Sequence, residues 1–152
     1  MSALPAPPKA LTAYRPFWAK RLGAKRVVVQ DLADWQRTRA LEMGADGFIA
    51  DAADPVGASD RAFAGRKPDI VFECVGRPGM MNRCAELAAL KGEVVMAGAC
   101  NGHDKLFVIT PTVMELNYQF VAGYTLREFI LAQELIANGQ IDPMPMFDGI
   151  VT

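Results

Sequence analysis

The sequence predicts an α/β domain built on an incomplete, doubly wound parallel sheet with helices on both faces. Two observations predict it. Short runs of β-branched and apolar residues recur along the chain, and stretches with helical spacing separate them. Strands that alternate with helices are joined by right-handed crossovers, which make neighbouring strands parallel and place the helices on both faces of the sheet.

The composition is that of about one soluble globular domain, because 51% of the 152 residues are hydrophobic and 22% are charged. Sixteen basic residues nearly balance 17 acidic ones, which leaves a net charge of -1. No broad field attracts nucleic acid or an anionic membrane, so neither is expected as a partner. The N-terminus has no export signal and no apolar stretch is long enough to span a bilayer, which predicts a cytoplasmic protein.

The predicted domain covers residues 18–149, between an arm and a short tail. Residues 1–17 contain four prolines and little charge, which predicts an irregular arm rather than a strand or a long helix. Residues 150–152 form the tail.

The first half of the domain contains two predicted strands. The run Val27–Gln30 is typical of a buried parallel strand. Asp34 is expected to cap a helix over Trp35–Met43. A second strand over Gly47–Ala50 and a short helix over Ala58–Ala64 follow.

The second half contains three strands, each followed by a helix. Strands are predicted over Asp69–Val75, Glu93–Ala97 and Tyr118–Gly123, and helices over Met80–Leu90, Pro111–Leu116 and Leu126–Asn138. The helix at Met80 is amphipathic, and its expected core face consists of Met81, Cys84, Leu87, Ala88 and Leu90. The remainder, from residue 141 onward, is expected to be mostly irregular.

Five segments resemble a known family in their order and spacing. They are Ala-Lys-Arg-Leu-Gly-Ala-Lys-Arg-Val-Val-Val-Gln-Asp (19–31), Arg-Ala-Leu-Glu-Met-Gly-Ala-Asp (39–46), Phe-Glu-Cys-Val-Gly (72–76), Leu-Lys-Gly-Glu-Val-Val-Met-Ala-Gly (90–98) and Ala-Asn-Gly-Gln-Ile-Asp-Pro (137–143). The chain is similar to the cofactor domain of zinc-type medium-chain dehydrogenases, particularly the alcohol, polyol and butanediol branch. The resemblance covers roughly residues 18–149 and implies a Rossmann-like fold with NAD as its cofactor.

Asp31 directly follows the predicted Val27–Gln30 strand, which is the second strand of the implied sheet. A carboxylate there accepts hydrogen bonds from both ribose hydroxyls of NAD and repels the additional phosphate of NADP. The alternative is that Asp31 only begins the turn before the next helix. Arg37 is within reach of the same ribose or its phosphate, although a solvated helix face explains it equally well.

Further cofactor contacts are expected where three parallel strands end, because small residues there leave space for a flat ligand. The resemblance places Val75, Gly76, Ala97, Gly98, Ala99, Gly123 and Tyr124 along the cofactor. The alternative is that these residues form ordinary turns at strand ends.

The sequence departs from the family where the pyrophosphate should bind. The pattern Gly-x-Gly-x-x-Gly is expected near residues 7–12, which instead read Pro-Pro-Lys-Ala-Leu-Thr, and no glycine precedes Gly23. Pro16 lies inside the expected first helix, at a cost of about 3 kcal/mol. We therefore expect the first strand to be missing, or to be supplied by another chain, and NAD to bind weakly at most.

No catalytic or zinc-binding residue is predicted. The family carries its catalytic zinc on a separate domain, through cysteine, histidine and carboxylate ligands. This chain has three dispersed cysteines, Cys74, Cys84 and Cys100, and a single histidine, His103. Two of the cysteines, Cys74 on a strand and Cys84 on a helix face, are expected to be buried.

Three hypotheses follow. The first is a truncated NAD-binding domain, derived from a zinc-dependent alcohol or polyol dehydrogenase, that has no dehydrogenase activity alone. The second is an oligomerisation or interaction module, because a missing central strand exposes sheet edges that favour a strand-exchanged homo-oligomer. The third is a small enzyme that reuses the crevice of the fold, but no cluster of acid, base and nucleophile supports it.

Overall fold

The computed structural model describes residues 19–51 and 53–146. The predicted arm at residues 1–17 and the tail at residues 150–152 lie outside the described residues. The chain divides into two compact units, of which the first comprises residues 1–55 and 125–152 and the second comprises residues 56–124. Each unit is described by itself.

The first unit contains a pair of parallel strands, β1 (Val28–Gln30) and β2 (Gly47–Ile49), with helix α1 (Gln36–Glu42) between them in the chain. Val29 lies opposite Phe48 in the register of the pair. The predicted elements are confirmed, with small differences at their ends. β-branched residues form β1, and Gly44, with a φ of 92°, ends α1.

The loop before β2 is attached to the chain just ahead of β1. The Asp46 carboxylate accepts hydrogen bonds from the Val27 N–H at 2.6 Å and from the Lys20 ammonium at 2.8 Å. The Lys20 hydrogen bond, followed by that of Val27, holds the pKa of Asp46 below its ordinary value. This carboxylate therefore stabilises the start of β1 in its ionised form.

The prediction that Asp34 caps α1 is wrong. Trp35 occupies the N-cap position and makes no capping hydrogen bond with its side chain. The Asp34 carboxylate instead accepts two hydrogen bonds from the guanidinium of Arg37, at 2.6 and 3.0 Å. The Asp34 carboxylate binds the charged guanidinium of Arg37, one helical turn away, in preference to the backbone N–H groups at the start of the helix.

The first unit also contains helix α5 (Leu126–Ala137) and a 3-10 turn over Met144–Met146 within the segment expected to be irregular. Thr125 and Glu128 form a capping box, in which each side chain accepts a hydrogen bond from the backbone N–H of the other residue. The charge of Glu128 is favourable at a helix N-terminus, and the hydrogen bonds from Thr125 lower its pKa.

Helix α2 (Pro55–Ala62) begins at the boundary between the units, three residues before its predicted start. Proline is well suited to the first helical position, where its missing N–H would have no partner within the helix.

The second unit is a sheet of three parallel strands in the order β3 (Ile70–Glu73), β4 (Glu93–Met96) and β5 (Asn117–Phe120). Helix α3 (Met80–Leu87) and the short helix α4 (Ile109–Val113) connect the strands.

The core of the second unit lies between α3 and one face of the sheet, where Cys84, Ala88, Val94 and Met96 are buried together. On the opposite face, the side chains of Ile70 and Phe72 are 49% and 47% exposed.

Helix α3 ends three residues earlier than predicted. Ala88 has an extended backbone, with ψ at 148°, and the Ala89 N–H donates to the Pro68 carbonyl outside the helix. The predicted core positions Cys84 and Ala88 are confirmed, whereas Leu90 is wrong because it lies beyond the helix and is 60% exposed.

The predicted fold class is confirmed as an incomplete, Rossmann-like arrangement of parallel strands joined by helices. In the doubly wound strand order 3-2-1-4-5-6, the first strand separates the second from the fourth. Within the described residues β1 pairs only with β2, and β3 pairs only with β4. Residues 1–18, on which the prediction of a missing strand rests, lie outside the described part.

Among the described residues, no helix is long and apolar enough to cross a membrane. The cytoplasmic location stays a prediction.

Asp104 attaches the loop after β4 to the start of α3, since its carboxylate accepts the N–H groups of Gly79 at 2.7 Å and Met81 at 3.3 Å. The Gly79 hydrogen bond is the main cause of a lowered pKa of Asp104. A carboxyl group with a lowered folded-state pKa stabilises the fold fully above its unfolded-state value of about 3.9. That stabilisation is lost as the pH falls through the lowered pKa.

We therefore expect Asp104→Asn to reduce Tm by a few degrees at pH 7. In acid, the Tm of the wild-type chain and that of the variant should converge, because protonated Asp104 no longer contributes its charge. Thermal unfolding followed by circular dichroism from pH 7 to about pH 2 measures this. Asp69→Asn is the matched control, because the Asp69 carboxylate makes no hydrogen bond within the described residues. A difference in Tm that stays constant with pH would contradict the assigned role of the charge.

Candidate functional site

Two loops meet at the carboxyl ends of β3 and β4, the edge at which open α/β sheets bind their ligands. The loop after β3 carries Val75 and Gly76, and the loop after β4 carries Ala97, Gly98 and Ala99. The structure brings these five predicted site residues together, because Gly76 packs directly against the backbone of both Gly98 and Ala99. The Val75 side chain is 55% exposed and therefore accessible to a ligand.

The physical reason for the two glycines differs from the predicted one. A Cβ atom on Gly76, whose φ is 65°, would lie 2.6 Å from the Ala99 carbonyl oxygen. A Cβ atom on Gly98 would collide with the backbone nitrogen of Gly76 and lie 2.5 Å from Oε2 of Glu73. The absent side chains therefore allow the loops to pack on each other, rather than leaving open space for a flat ligand.

Glu73, the last residue of β3, organises both loops, a role that the sequence alone did not indicate. Its Oε1 atom accepts the N–H groups of Val75 at 2.6 Å and Gly76 at 2.9 Å. Its backbone carbonyl accepts the N–H groups of Ala97 and Gly98, both at 2.9 Å. One residue thus holds the two loops by hydrogen bonds from its side chain and from its backbone.

The Glu73 side chain is only 2% exposed, and its Oε2 atom has no hydrogen-bond partner among the residues that the structure describes. Buried glutamate is rare unless it is paired. The signal in the sequence is a single carboxylate inside the apolar run Ile-Val-Phe-Glu-Cys-Val (70–75).

Asp31 lies in the first unit, directly after β1, where its own N–H donates to the Ile49 carbonyl of β2. Its Oδ1 atom accepts a hydrogen bond from the Ala33 N–H at 2.8 Å. This is the turn before the next helix that was the alternative interpretation of Asp31. Its Oδ2 atom has no partner within the described residues, so one oxygen stays available to a ligand.

Arg37 is engaged by the protein itself. Besides the two hydrogen bonds to Asp34, it donates to the Phe48 carbonyl at 3.2 Å, and its guanidinium lies 5.0 Å from the centre of the Phe48 ring. These contacts favour the interpretation of Arg37 as a helix-surface residue.

Gly123 and Tyr124 follow β5 and are exposed, Tyr124 at 75%. Among the described residues, and apart from its two chain neighbours, no atom lies within 4 Å of a Cβ placed on Gly123. Gly123 makes no close contact with the packed pair of loops among the described residues. Their assignment to the cofactor stays a prediction.

The thiol and histidine residues do not form a reactive cluster in the described part of the chain. Within residues 19–51 and 53–146, no group of three or more histidine, cysteine, aspartate or glutamate residues is placed to hold a metal ion. Cys84 is buried as predicted, and burial raises the pKa of its thiol to about 12, so this thiol is inert. Cys74 differs from its expected buried position, because β3 ends before it and it is partly exposed.

Residues 17–138 match the profile of the zinc-binding dehydrogenase family. The chain belongs to this family. The match includes the second unit, part of the first unit and every predicted site residue from Asp31 to Tyr124. The resemblance inferred from the five sequence segments is thereby confirmed.

The relatives of this zinc-binding dehydrogenase chain include polyol dehydrogenases. L-idonate 5-dehydrogenase (NAD(P)(+)) of Escherichia coli is 27% identical over 132 residues, which are 86% of this chain and 37% of that protein. Sorbitol dehydrogenase of Mus musculus is 24% identical over 131 residues, which are 84% of this chain and 36% of that protein. The chain spans little more than a third of the length of these relatives.

Solved structures of the family have the same fold. The crystal structure of L-idonate 5-dehydrogenase from Escherichia coli matches with a TM-score of 0.73 and 28% identity, over 85% of this chain and 36% of that chain. The alcohol dehydrogenase of the archaeon Aeropyrum pernix matches with a TM-score of 0.78 over 86% of this chain and 38% of that chain. Its identity is only 18%, so the second match supports the fold alone.

Proposed function

We propose that the chain is an NAD-binding domain derived from a zinc-dependent alcohol or polyol dehydrogenase, and that it binds NAD weakly and transfers no hydride by itself. The observation that carries the proposal is the pair of loops joined by Glu73 at the carboxyl ends of β3 and β4. A ligand-binding edge of this kind, in a chain of this family, is best explained by a dinucleotide.

Each unit, taken by itself, offers residues that suit one nucleoside part of the cofactor. The free Oδ2 atom of Asp31 is an acceptor for a ribose hydroxyl, and its charge disfavours the additional phosphate of NADP. Val75 offers an exposed apolar side chain, and Ala97 and Ala99 are small residues of the loop that packs on Gly76, which suits the nicotinamide half. When bound, nicotinamide supplies the hydride chemistry, and these residues orient it and exclude water.

The residues do not fit the pyrophosphate. Its usual site is a glycine-rich turn that opens a helix, and the sequence has no glycine before Gly23. Without those backbone N–H groups we expect a dissociation constant of about 0.1–1 mM.

Replacing Asp31 with alanine is expected to weaken NADH binding about tenfold, because a hydrogen bond to a charged acceptor is lost. Titration calorimetry of the purified chain with NADH measures this. Asp69→Ala is the matched control, since Asp69 precedes β3 at the amino end of its sheet and should leave the affinity unchanged. No binding at millimolar NADH would contradict the cofactor function, and equal effects of the two variants would contradict the role of Asp31.

A second candidate function, homo-oligomerisation through strand edges, is favoured by one observation. Within the described residues β3 pairs on one side only, with β4. The carbonyls of Asp69 and Glu73 accept hydrogen bonds from the β4 side. Because successive residues of a strand direct their backbone groups to alternate sides, the N–H and C=O groups of Ile70 and Phe72 face the opposite, open edge of β3. Such an edge pairs readily with a strand of another chain.

Ile70→Pro is expected to convert such an oligomer to monomer, because proline removes an N–H donor at the open edge while sparing the β4 ladder. Light scattering coupled to size-exclusion chromatography measures the mass. In the control, Val71→Pro removes an N–H on the β4 side and should unfold the second unit. A wild-type monomer, or an oligomer that Ile70→Pro leaves intact, would rule out pairing through this edge.

A further inference from the structure

The carboxylate of Glu73 is buried without a cation. No ion pair to this residue forms within the described part of the chain, and no hydrogen bond reaches its Oε2 atom. Only the N–H groups of Val75 and Gly76 oppose the charge, and both bind Oε1. Partial charges on two N–H groups compensate a full negative charge incompletely.

This charge lies directly beneath the proposed nicotinamide contacts. The carboxylate bonds the backbone of Val75 and Gly76, and its Oε2 atom packs against Gly98. A ligand seated on these two loops is therefore separated from the carboxylate by about one layer of backbone. Gly98 and Gly76 close the space around Oε2, so the group acts through its field and not by touching the ligand.

We propose that Glu73 is a positioning residue whose buried charge favours the oxidised cofactor, NAD+, over NADH. This inference rests on the proposed cofactor function. The nicotinamide ring carries a positive charge in NAD+ and none in NADH, whereas the rest of the dinucleotide is the same. A fixed negative charge near the ring therefore stabilises the bound oxidised form selectively.

The expected size follows from Coulomb's law. Two unit charges about 7 Å apart, at an effective dielectric constant of about 20, change an affinity ratio by some tens of fold. The two N–H groups at Oε1 and nearby solvent reduce this effect, and we expect about a fivefold change. A contribution of this size makes the affinity for NAD+ measurably higher relative to that for NADH, while both forms still bind.

The test compares the dissociation constants of NAD+ and NADH for the wild-type chain, Glu73→Gln and Glu73→Asp, by titration calorimetry. Glu73→Gln removes the charge but keeps an oxygen for the Val75 and Gly76 N–H groups. We expect it to weaken NAD+ binding about fivefold relative to NADH. Glu73→Asp keeps the charge but is too short to keep both hydrogen bonds, so we expect both cofactors to bind more weakly and their ratio to stay unchanged.

A purely structural role would change both affinities together in both variants. The inference is overturned if Glu73→Gln leaves the NAD+ to NADH ratio unchanged, or if Glu73→Asp alters it as much as Glu73→Gln does. Either result leaves the cofactor function intact. Failure of the wild-type chain to bind either form at millimolar concentration overturns the cofactor function and this inference with it. If Glu73→Gln does not fold, Glu73→Asp remains as a test, and a changed NAD+ to NADH ratio in that variant overturns the role of the charge.

Discussion

Replacing Gly76 with alanine is expected to lower the free energy of unfolding by about 3 kcal/mol. Two costs add. Gly76 has a φ of 65°, in the left-handed region that disfavours alanine by about 1 kcal/mol or more. Its new Cβ atom would also lie 2.6 to 2.8 Å from three backbone atoms of Ala99, which cannot rotate away. Overpacking of this kind costs about 1–3 kcal/mol.

The same loop provides a matched control for the packing contribution. Gly79 has a φ of 90°, but in the described part of the chain a Cβ placed there meets no atom within 4 Å beyond its chain neighbours. Gly79→Ala therefore carries the backbone cost without the collision, and we expect a loss of about 1 kcal/mol. Urea unfolding of both variants measures the difference. Equal losses would show that the loops after β3 and β4 do not pack as closely as the structure describes.

Replacing Glu73 with leucine is expected to cost about 2–4 kcal/mol, because the N–H groups of Val75 and Gly76 both lose their acceptor. Leucine is similar in size to glutamate and fills the site, so the loss reflects the hydrogen bonds rather than a cavity. Glu73→Gln retains an oxygen acceptor and should cost about 1 kcal/mol or less. Urea unfolding measures both values.

Amide hydrogen exchange locates the effect of the leucine variant. The Val75 and Gly76 amides should exchange faster in Glu73→Leu and remain protected in Glu73→Gln. Unchanged protection of these two amides in the leucine variant would show that the carboxylate does not hold the turn.

The elements of the fold were predictable because local signals define them. The β-branched run at Val27–Gln30, and Gly44 after α1, mark a strand and a helix end through backbone preferences that hold in any context. Capping was less predictable. Asp34 has a residue type and position suited to an N-cap, but Arg37 one turn away binds its carboxylate. The sequence alone does not show which of two partners prevails.

The candidate site was predictable in outline only. Its residues follow from the rule that parallel strands place their ligands at their carboxyl ends, and five of them do come together. The dependence of both loops on Glu73 was not predictable, since a glutamate at a strand end is usually solvated. Its burial results from contacts between residues more than 20 positions apart in the chain.

The sequence by itself determined the alternation of strands and helices, the family, and the absence of a glycine-rich turn before Gly23, because these depend on residue types and their spacing. Only the tertiary structure decided that Gly76 and Gly98 are needed for packing between two loops, and that the carboxylate of Glu73 is buried between them. The physical reason is that close approach and loss of solvent are properties of segments distant in sequence, and no local pattern encodes them.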